Sequence, residues 1–582
     1  MKKNKLFMYA LIFLAGIFTL NINAKADEEY VAKIEDTMYV TLDEAVVAAQ
    51  DGETIELLKD ATTEGLNLNK NLTITSESDS HYTITFTKYG IALWGKNLTF
   101  KDVDVVMTGI NSTPYTAEWN WMTICASKDA SLTLENVNMT MDGEGTGNIH
   151  AIYFCSNNIL NLTNSVLTIK NYTQDALEWD GGNGGYNVNI INSIFVSDHN
   201  RSGFTGTFTA TIDNSKVDVI NSTGNGSNGS NFRIINNSVV NFNNNVAHGL
   251  STSNLIIDNS YVEAKYNGGN GVHVNGLLDV RNSSTIIIEE NECAISSKWT
   301  FPGALLLTSN NTHDIDSTSI VTIKNNYGSG ISLVNGSLNI ADGATVTITD
   351  NIAYKLGFGG GIYIANGKEA ILSSNIELYN NHAVNAGDDI YNLGIITFPD
   401  TRDEWSLNNG ISFDFNAKYD DSEYSYDHEE CEHKINGWYD DSENNRWEAH
   451  GVTEEEDHIV LVESGTYSEA FAIKAAHDKI KGEVISKYLD TDGNVLANEE
   501  KTTDIVGKEY TTNAKDIEGY KLILVDGKES GKYIDGTIYV IYYYDKNIGT
   551  GNIEELPPQT GMPVNSINNL QNIEIILYKK ED

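Results

Sequence analysis

The sequence predicts an all-β chain, most of it wound into a right-handed parallel β-helix. The first observation is a phrase that recurs seven times, alternating apolar residues closed by Asn: LTLEN ending at Asn136, LNLTN at Asn164, VNIIN at Asn192, ATIDN at Asn214, RIINN at Asn237, LIIDN at Asn259 and LDVRN at Asn282. The second is its spacing, in steps of 28, 28, 22, 23, 22 and 23 residues. A near-constant period marks a stacked array, because one unit alone cannot bury its apolar face. The third is that each unit holds short period-2 apolar runs and no amphipathic stretch of helix length, so the coils are built from strands.

Taken in order, residues 1–26 read as an export signal: Lys2, Lys3 and Lys5, an apolar run from Leu6 to Leu20, then Ala24-Lys25-Ala26 before a cleavage point between Ala26 and Asp27. TLDEAVVAAQDG (41–52) predicts a short helix starting near Thr41 or Asp43 and ended by Gly52. Such a helix would cover the first coil, whose open strand edge otherwise invites aggregation. ETIELL (53–58), LNLNKNLTIT (66–75), YTITFT (82–87) and NLTFKDVDVVM (97–107) then alternate as half-buried strands do. The solenoid is expected over 37–400.

A second column of strands is expected at GIALW (90–94), WMTIC (121–125), AIYFC (151–155), ALEWD (176–180), GFTGT (203–207) and onward to DIYNLG (389–394). Its outward positions predict an exposed line of Ala92, Thr123, Tyr153, Glu178, Thr205, Ser251, His273, Ser296, Ser332, Tyr363 and Tyr391. Asn at the recurring corner has two physical reasons. It tolerates left-handed φ, and stacked amides can hydrogen-bond along the axis. Six prolines in 582 residues leave the strand donors uninterrupted.

Residues 401–478 break the rhythm and are acidic, as in DDSEYSYDHEECEH (420–433); they read as a C-terminal cap or connector. His428, Glu429, Glu430, Cys431 and His433 are contiguous and lack the paired spacing of a zinc site. A new pattern starts near 480, with a hairpin signal at Asp492-Gly493 and a closing run YVIYYY (539–544). Residues 547–582 form a linker and tail containing LPPQTG (556–561).

The net charge of −43 argues against nucleic acid as a partner, because phosphate binding needs clustered Lys and Arg. Four cysteines are too few for a disulfide framework, though aligning WMTIC on AIYFC would stack Cys125 on Cys155 in adjacent coils. Their disulfide state stays open between a free pair and a cross-coil bond. No cofactor or metal is expected. The Asp490–Asn494 run is similar to a calcium loop but lacks the distal Glu, and reads as a turn.

These motifs carry resemblances. The region 37–400, with coils such as GFGGGIYIAN (357–366), resembles the pectin-lyase-like β-helix superfamily and its surface adhesins. YLDTDGN (488–494), VGKEY, IEGY and YVIYYY resemble a MucBP (mucin-binding protein) repeat over 480–546, which implies a small β-grasp-like domain of Gram-positive surface proteins. LPPQTG resembles a sortase signal, which implies cleavage between Thr560 and Gly561 and attachment to peptidoglycan. The following MPVNSINNLQNIEIILYKKED departs from the family, since its apolar part is reduced to Ile573–Leu577 and broken by Glu574.

Three functions follow as alternatives: a glycan- or mucin-binding adhesin, expected to be monomeric; a polysaccharide lyase or hydrolase; and a passive spacer. Glu178 and Asp180 are the best carboxylate pair, since residues i and i+2 of a strand share a face; the alternative is a solvated acidic surface. No arginine is expected on the outward line beside a carboxylate cluster, Arg201 coming closest at the coil following Glu178 and Asp180. His248-Gly249 and Asp388-Asp389 match fragments of the hydrolase pattern, in separate coils. Tyr153, Trp179, His273, Tyr363 and Tyr391 are the candidate sugar-stacking or ligand-binding residues.

Overall fold

The computed structural model describes residues 29–398 apart from short breaks at 79, 115–120, 180, 182–183, 294–301, 355–356, 375 and 380. It further describes 438–443, 459–460, 465–475 and, with breaks at 492, 506–508 and 535, 481–546. Ala26, Asp27, Asp180, Ser296, the 428–433 run, Thr560 and Gly561 lie outside these residues. The described residues fall into two compact units, one ending at Asp478 and one starting at Lys479.

The first unit is a parallel β-solenoid of about 12 turns. Most coils lay down three short strands; at Phe204–Asp213, Ser227–Ile235 and Leu250–Asp258 the first two run together into one of nine or ten residues. A 13-stranded parallel sheet runs from Ala61–Thr63 to Ile376–Tyr379 and forms one face. In-register pairs such as Leu167↔Phe195 and Val217↔Val240 stack like residue on like. Strands read buried–intermediate–buried, as in Val103–Thr108, because successive side chains point to opposite faces. The interior is filled by Leu, Ile, Val and a run of rings. Phe154 and Tyr186 stack at 4.5 Å, and Phe208 and Phe232 continue the series.

The N-terminal coil is covered as its sequence implies. Helix α1 spans Leu42–Ala48, and its N-cap Thr41 accepts the Glu44 N–H at 3.1 Å. Leu42, Ala45 and Val46 are its buried side. At the other end the last parallel strands are met by antiparallel ones, Ile390↔Ile473 and Ile396↔Tyr467, which pair the edge left by the final coil.

All seven corner asparagines adopt left-handed φ, from 46° at Asn214 to 63° at Asn237. Their amides stack only in pairs, Asn192 with Asn214 at 2.7 Å and Asn237 with Asn259 at 3.2 Å. Continuity comes instead from the next residue: Val137, Ser165, Ser193, Ser215, Ser238 and Ser260 each donate a backbone N–H to the serine hydroxyl of the following coil.

A second, fully buried ladder occupies a different corner. Asn245, Asn267, Asn291, Asn326 and Asn351 each send both the backbone N–H and the side-chain amide to the Oδ1 of the next rung, at 2.8–3.2 Å. Asn381 closes the series on Asp389. A carboxylate suits that end, because the last rung needs only to accept.

The second unit is a mixed four-stranded sheet in the order Val495–Ile505, Lys481–Asp490, Thr537–Lys546, Tyr520–Asp526, with the central pair parallel and the outer pairs antiparallel. Its core is built on tyrosines. Tyr488, Tyr542 and Tyr544 are buried, and their hydroxyls reach Glu500, Thr512 and the Lys515 carbonyl at 2.8–3.0 Å. Burying the ring while its hydroxyl is satisfied is what makes a Tyr core workable. Asn494 folds back on both Asp490 carboxylate oxygens, so this run is a closed turn.

Candidate functional site

The outward line of the second strand column exists, with two substitutions. Its register runs Ala92–Cys125–Tyr153–Glu178, with Thr205 on the next rung, then Asn228–Ser251–His273–Leu306–Ser332–Tyr363–Tyr391. Thr123 does not belong to it. Met122 pairs with His150, two residues out of step with the expected alignment, so Cys125 stacks on Tyr153 and not on Cys155. No disulfide joins Cys125 to Cys155. Thr123 points inward, fully buried, and donates to the Ile110 carbonyl at 2.8 Å.

The line is not an exposed stripe. Tyr153, His273 and Tyr363 are buried, and Tyr391 is half-buried. Rungs sit only about 4.8 Å apart, so large outward side chains cover one another. Tyr363 and Tyr391 lie parallel at 6.0 Å with Phe358 against the latter at 4.6 Å, and Trp121 packs on Met122, Cys125 and Tyr153. His273 reaches Thr308 at 3.1 Å and Ser251 at 3.4 Å and packs 6.2 Å from His248, a lining role. Asp388 pairs with Lys474 at 2.8 Å and Asp389 ends the asparagine ladder, so neither belongs to a hydrolase motif.

The densest chemistry lies where three rungs meet. Asp175, with no exposed surface, is held by Arg201 through both carboxylate oxygens. The same guanidinium lies 3.6 Å from Glu178, and His150 Nδ1 lies 3.8 Å from Asp175. Donor atoms of His150, Asp175 and Glu178 all fall within 4.8 Å of one another. Trp121 forms a wall, edge-on to Tyr153 at 4.5 Å and to His150 at 5.7 Å. Trp179, the next residue after Glu178, lies over Gly206, where a Cβ would come within 2.7 Å of the tryptophan Cβ.

Arg201 is not itself on the outward line, but its guanidinium reaches the line at Glu178. Among the described residues, Asp175 is the carboxylate set beside Glu178; Asp180 lies outside them. Local pattern alone does not single out Asp175, because it precedes the strand and Arg201 is 26 residues away. That offset is about one coil, and an acidic residue followed one coil later by a scarce arginine is the signal that would have revealed it.

The four groups hold different charges. Burial pushes the Glu178 carboxyl up to about 9, helped by the hydrogen bond and charge of Asp175. Burial also penalises the Asp175 charge, but hydrogen bonds from Glu178 and Arg201 outweigh it and hold Asp175 below its ordinary value. Burial brings His150 down to about 4, with Arg201 opposing protonation and Asp175 favouring it. At neutral pH the cluster is therefore a neutral acid, a carboxylate, a guanidinium and a neutral imidazole, with no net charge. Arg201 already supplies the positive charge at this carboxylate pair, so a divalent cation there would meet a guanidinium.

Glu178 is held protonated at a cost to stability. Its native pKa lies above the ordinary 4.5, so between 4.5 and about 9 the folded chain keeps a proton that the unfolded chain has released. Its contribution is complete below 4.5 and is lost as pH rises toward 9. Glu178→Gln keeps the neutral form without that penalty. We expect it to stabilise the solenoid at pH 8 by roughly 1–3 kcal/mol, the gain vanishing by pH 5. Urea midpoints at the two pH values test this, and an unchanged or lowered midpoint at pH 8 would refute it.

Comparisons with known proteins bear on the second unit and on short segments. One alignment is 37% identical over 99 residues to the muramidase-released protein of Streptococcus suis, covering 15% of this chain and 8% of that protein. Another is 38% identical over 68 residues to internalin J of Listeria monocytogenes, covering 12% of this chain and 8% of that protein. The chain thus spans less than a tenth of the length of either relative. Residues 483–545, which form most of the four-stranded unit with the tyrosine core, match the MucBP domain.

Proposed function

We propose that this chain is an extracellular, Gram-positive surface adhesin that engages mucin-type glycoproteins. The MucBP match at 483–545 carries this reading, and the likeness to the muramidase-released protein and internalin J supports it. The signal at 1–26 exports the chain and leaves Asp27 as its first residue. Sortase cleavage between Thr560 and Gly561 then joins it to peptidoglycan, and the solenoid presents a further contact surface. The acidic net charge suits a soluble surface protein and offers nothing to nucleic acid.

A polysaccharide-cleaving role is served less well. Two-carboxylate glycosidases need both groups at the substrate, about 5–9.5 Å apart. Among the described residues of this cluster, Asp175 is fully buried and both its oxygens are taken by Arg201, which leaves Glu178 as the one reachable carboxyl.

The test uses the chain from Asp27 onward on immobilised mucin and on the same mucin stripped of its glycans. Saturable binding to the first, at least tenfold weaker on the second and without release of reducing ends, is expected. Equal binding to both surfaces, or glycan release, would overturn the proposal.

A further inference from the structure

The solenoid carries a groove at a corner where the side chains are open to solvent. Where the chain turns through Asn192, Asn214 and Asn237 into the 13-stranded sheet, the outer surface forms a depression of about 520 Å³. It is lined by these residues and by the first residues of the strands that follow, Ile194, Lys216 and Val239. The volume falls within the range of ligand sites, about 300–1,000 Å³. All six residues are exposed, and the last three are in-register partners on successive rungs. The serines between them are spent on the backbone ladder, but the amides are only half engaged. Asn214 donates to Asn192, and Asn259 donates to Asn237. The Nδ2 groups of Asn192 and Asn237 and the Oδ1 of Asn214 have no partner among the described residues. In other coils, by contrast, Asn136 and Asn282 donate to Asp102 and Asp258 at 2.8 Å.

From this geometry we infer that the groove binds a short neutral glycan laid along the rod axis, one sugar residue to a rung. A sugar presents hydroxyls that both donate and accept, beside a C–H face that is apolar. The asparagine amides match the first property. Ile194 and Val239, 40% and 36% exposed, match the second. Lys216 contributes its stem to the floor, since its ammonium is held by Asp218 at 2.8 Å. The groove therefore offers no free cation to an acidic sugar, and a chain of net charge −43 repels one. Rung spacing argues against an extended peptide in the same place. Rungs repeat every ~4.8 Å, whereas a strand advances about 3.3 Å per residue, so its polar groups fall out of step with the amides. A pyranose unit in a linear chain is close to one rung in length.

The groove lies in the solenoid, and the inference rests on the adhesin reading only for the premise that the chain meets glycans. The test is calorimetric titration of the chain from Asp27 onward with β-1,4-linked glucose and N-acetylglucosamine oligomers of increasing length, and with galacturonate oligomers of the same lengths. Affinity for a neutral series should rise from one residue to three and then level off, because the groove spans three rungs. The galacturonates should bind at least about tenfold more weakly. Ile194→Glu and Val239→Glu, which put a charge on the floor, should each weaken binding about tenfold or more. Both should fold, since the same column carries Asn138 two rungs before Ile194 and Thr285 two rungs after Val239. Circular dichroism checks this. Ile320→Glu, an exposed position on the rung after Thr285 and outside the groove, should leave binding unchanged. No binding by either neutral series, affinity independent of length, galacturonates bound as tightly, or binding indifferent to Val239→Glu would overturn the inference. If mucin binding by the full chain survives Ile194→Glu while no oligomer ever binds, the groove fails and the adhesin proposal stands. Oligomer binding lost in Val239→Glu, in a chain that does not hold mucin, would separate the two the other way.

Discussion

Replacing Asn291 with Ala should lower the stability of the solenoid by about 3–5 kcal/mol, the sum of a cavity and two or more buried polar groups left unmatched. Asn291 is fully buried. Its Oδ1 accepts from the backbone and side-chain N–H of Asn267 at 3.0 and 2.9 Å, and its amide donates to Asn326 at 2.9 Å and to the Ala264 carbonyl at 2.9 Å. An alanine satisfies none of them. Each amide in the ladder serves the rung before it, so the damage spreads along the axis. Amide hydrogen exchange should accelerate most on the coils containing Asn267 and Asn326, and less with distance, as nearest-neighbour coupling in a solenoid requires. Asn214→Ala, at the exposed corner, removes one amide pair in contact with water and places an alanine at a φ of 46°, and should cost about 1–2 kcal/mol. Equal effects from the two substitutions would show that the buried ladder holds no special weight.

Arg201→Ala should cost about 2–4 kcal/mol at pH 7, because it strands a carboxylate that has no exposed surface. The figure sits below the full range for breaking a buried pair, since the Arg201 side chain is 44% exposed and partly screened. The pH dependence distinguishes this mechanism from lost packing. In the wild type Asp175 sits below its ordinary pKa, so its contribution is present above that value and is lost as pH falls through the native pKa. Without Arg201 the buried carboxyl takes up a proton, and acid restores neutrality. The stability gap between variant and wild type should therefore narrow from pH 7 to pH 4. A gap independent of pH would mean that Arg201 acts through packing alone, and would remove the electrostatic account of the site.

Much of the fold is legible in the residues themselves. Strand alternation, the period and the left-handed corner at Asn136 through Asn282 are local properties, set by side-chain spacing and by the φ each residue tolerates. The capping helix is equally local, since Thr41 and the run after it suffice to begin and amphipathically bury it. The serine and asparagine ladders were harder to find. The Ser after each corner Asn, and the second series at Asn245 to Asn381, differ in sequence from loop residues only by recurring at the coil length.

What the sequence by itself determined is therefore the coil, with its period, its inward aliphatic residues and its corners, because these depend on neighbours within a few residues. What only the tertiary structure decided is which residues meet between coils. A two-residue change in register replaced Thr123 by Cys125 beside Tyr153 and separated Cys125 from Cys155. Stacking at rung distance turned an apparently exposed line of tyrosines into covered ones. Winding brought Asp175 to Arg201 and set His150 and Glu178 against them. The physical reason is that a solenoid fixes its repeat through backbone hydrogen bonds, which are blind to side-chain identity. The chemistry on its surface depends instead on the lengths of the turns between strands, and the turns differ from coil to coil.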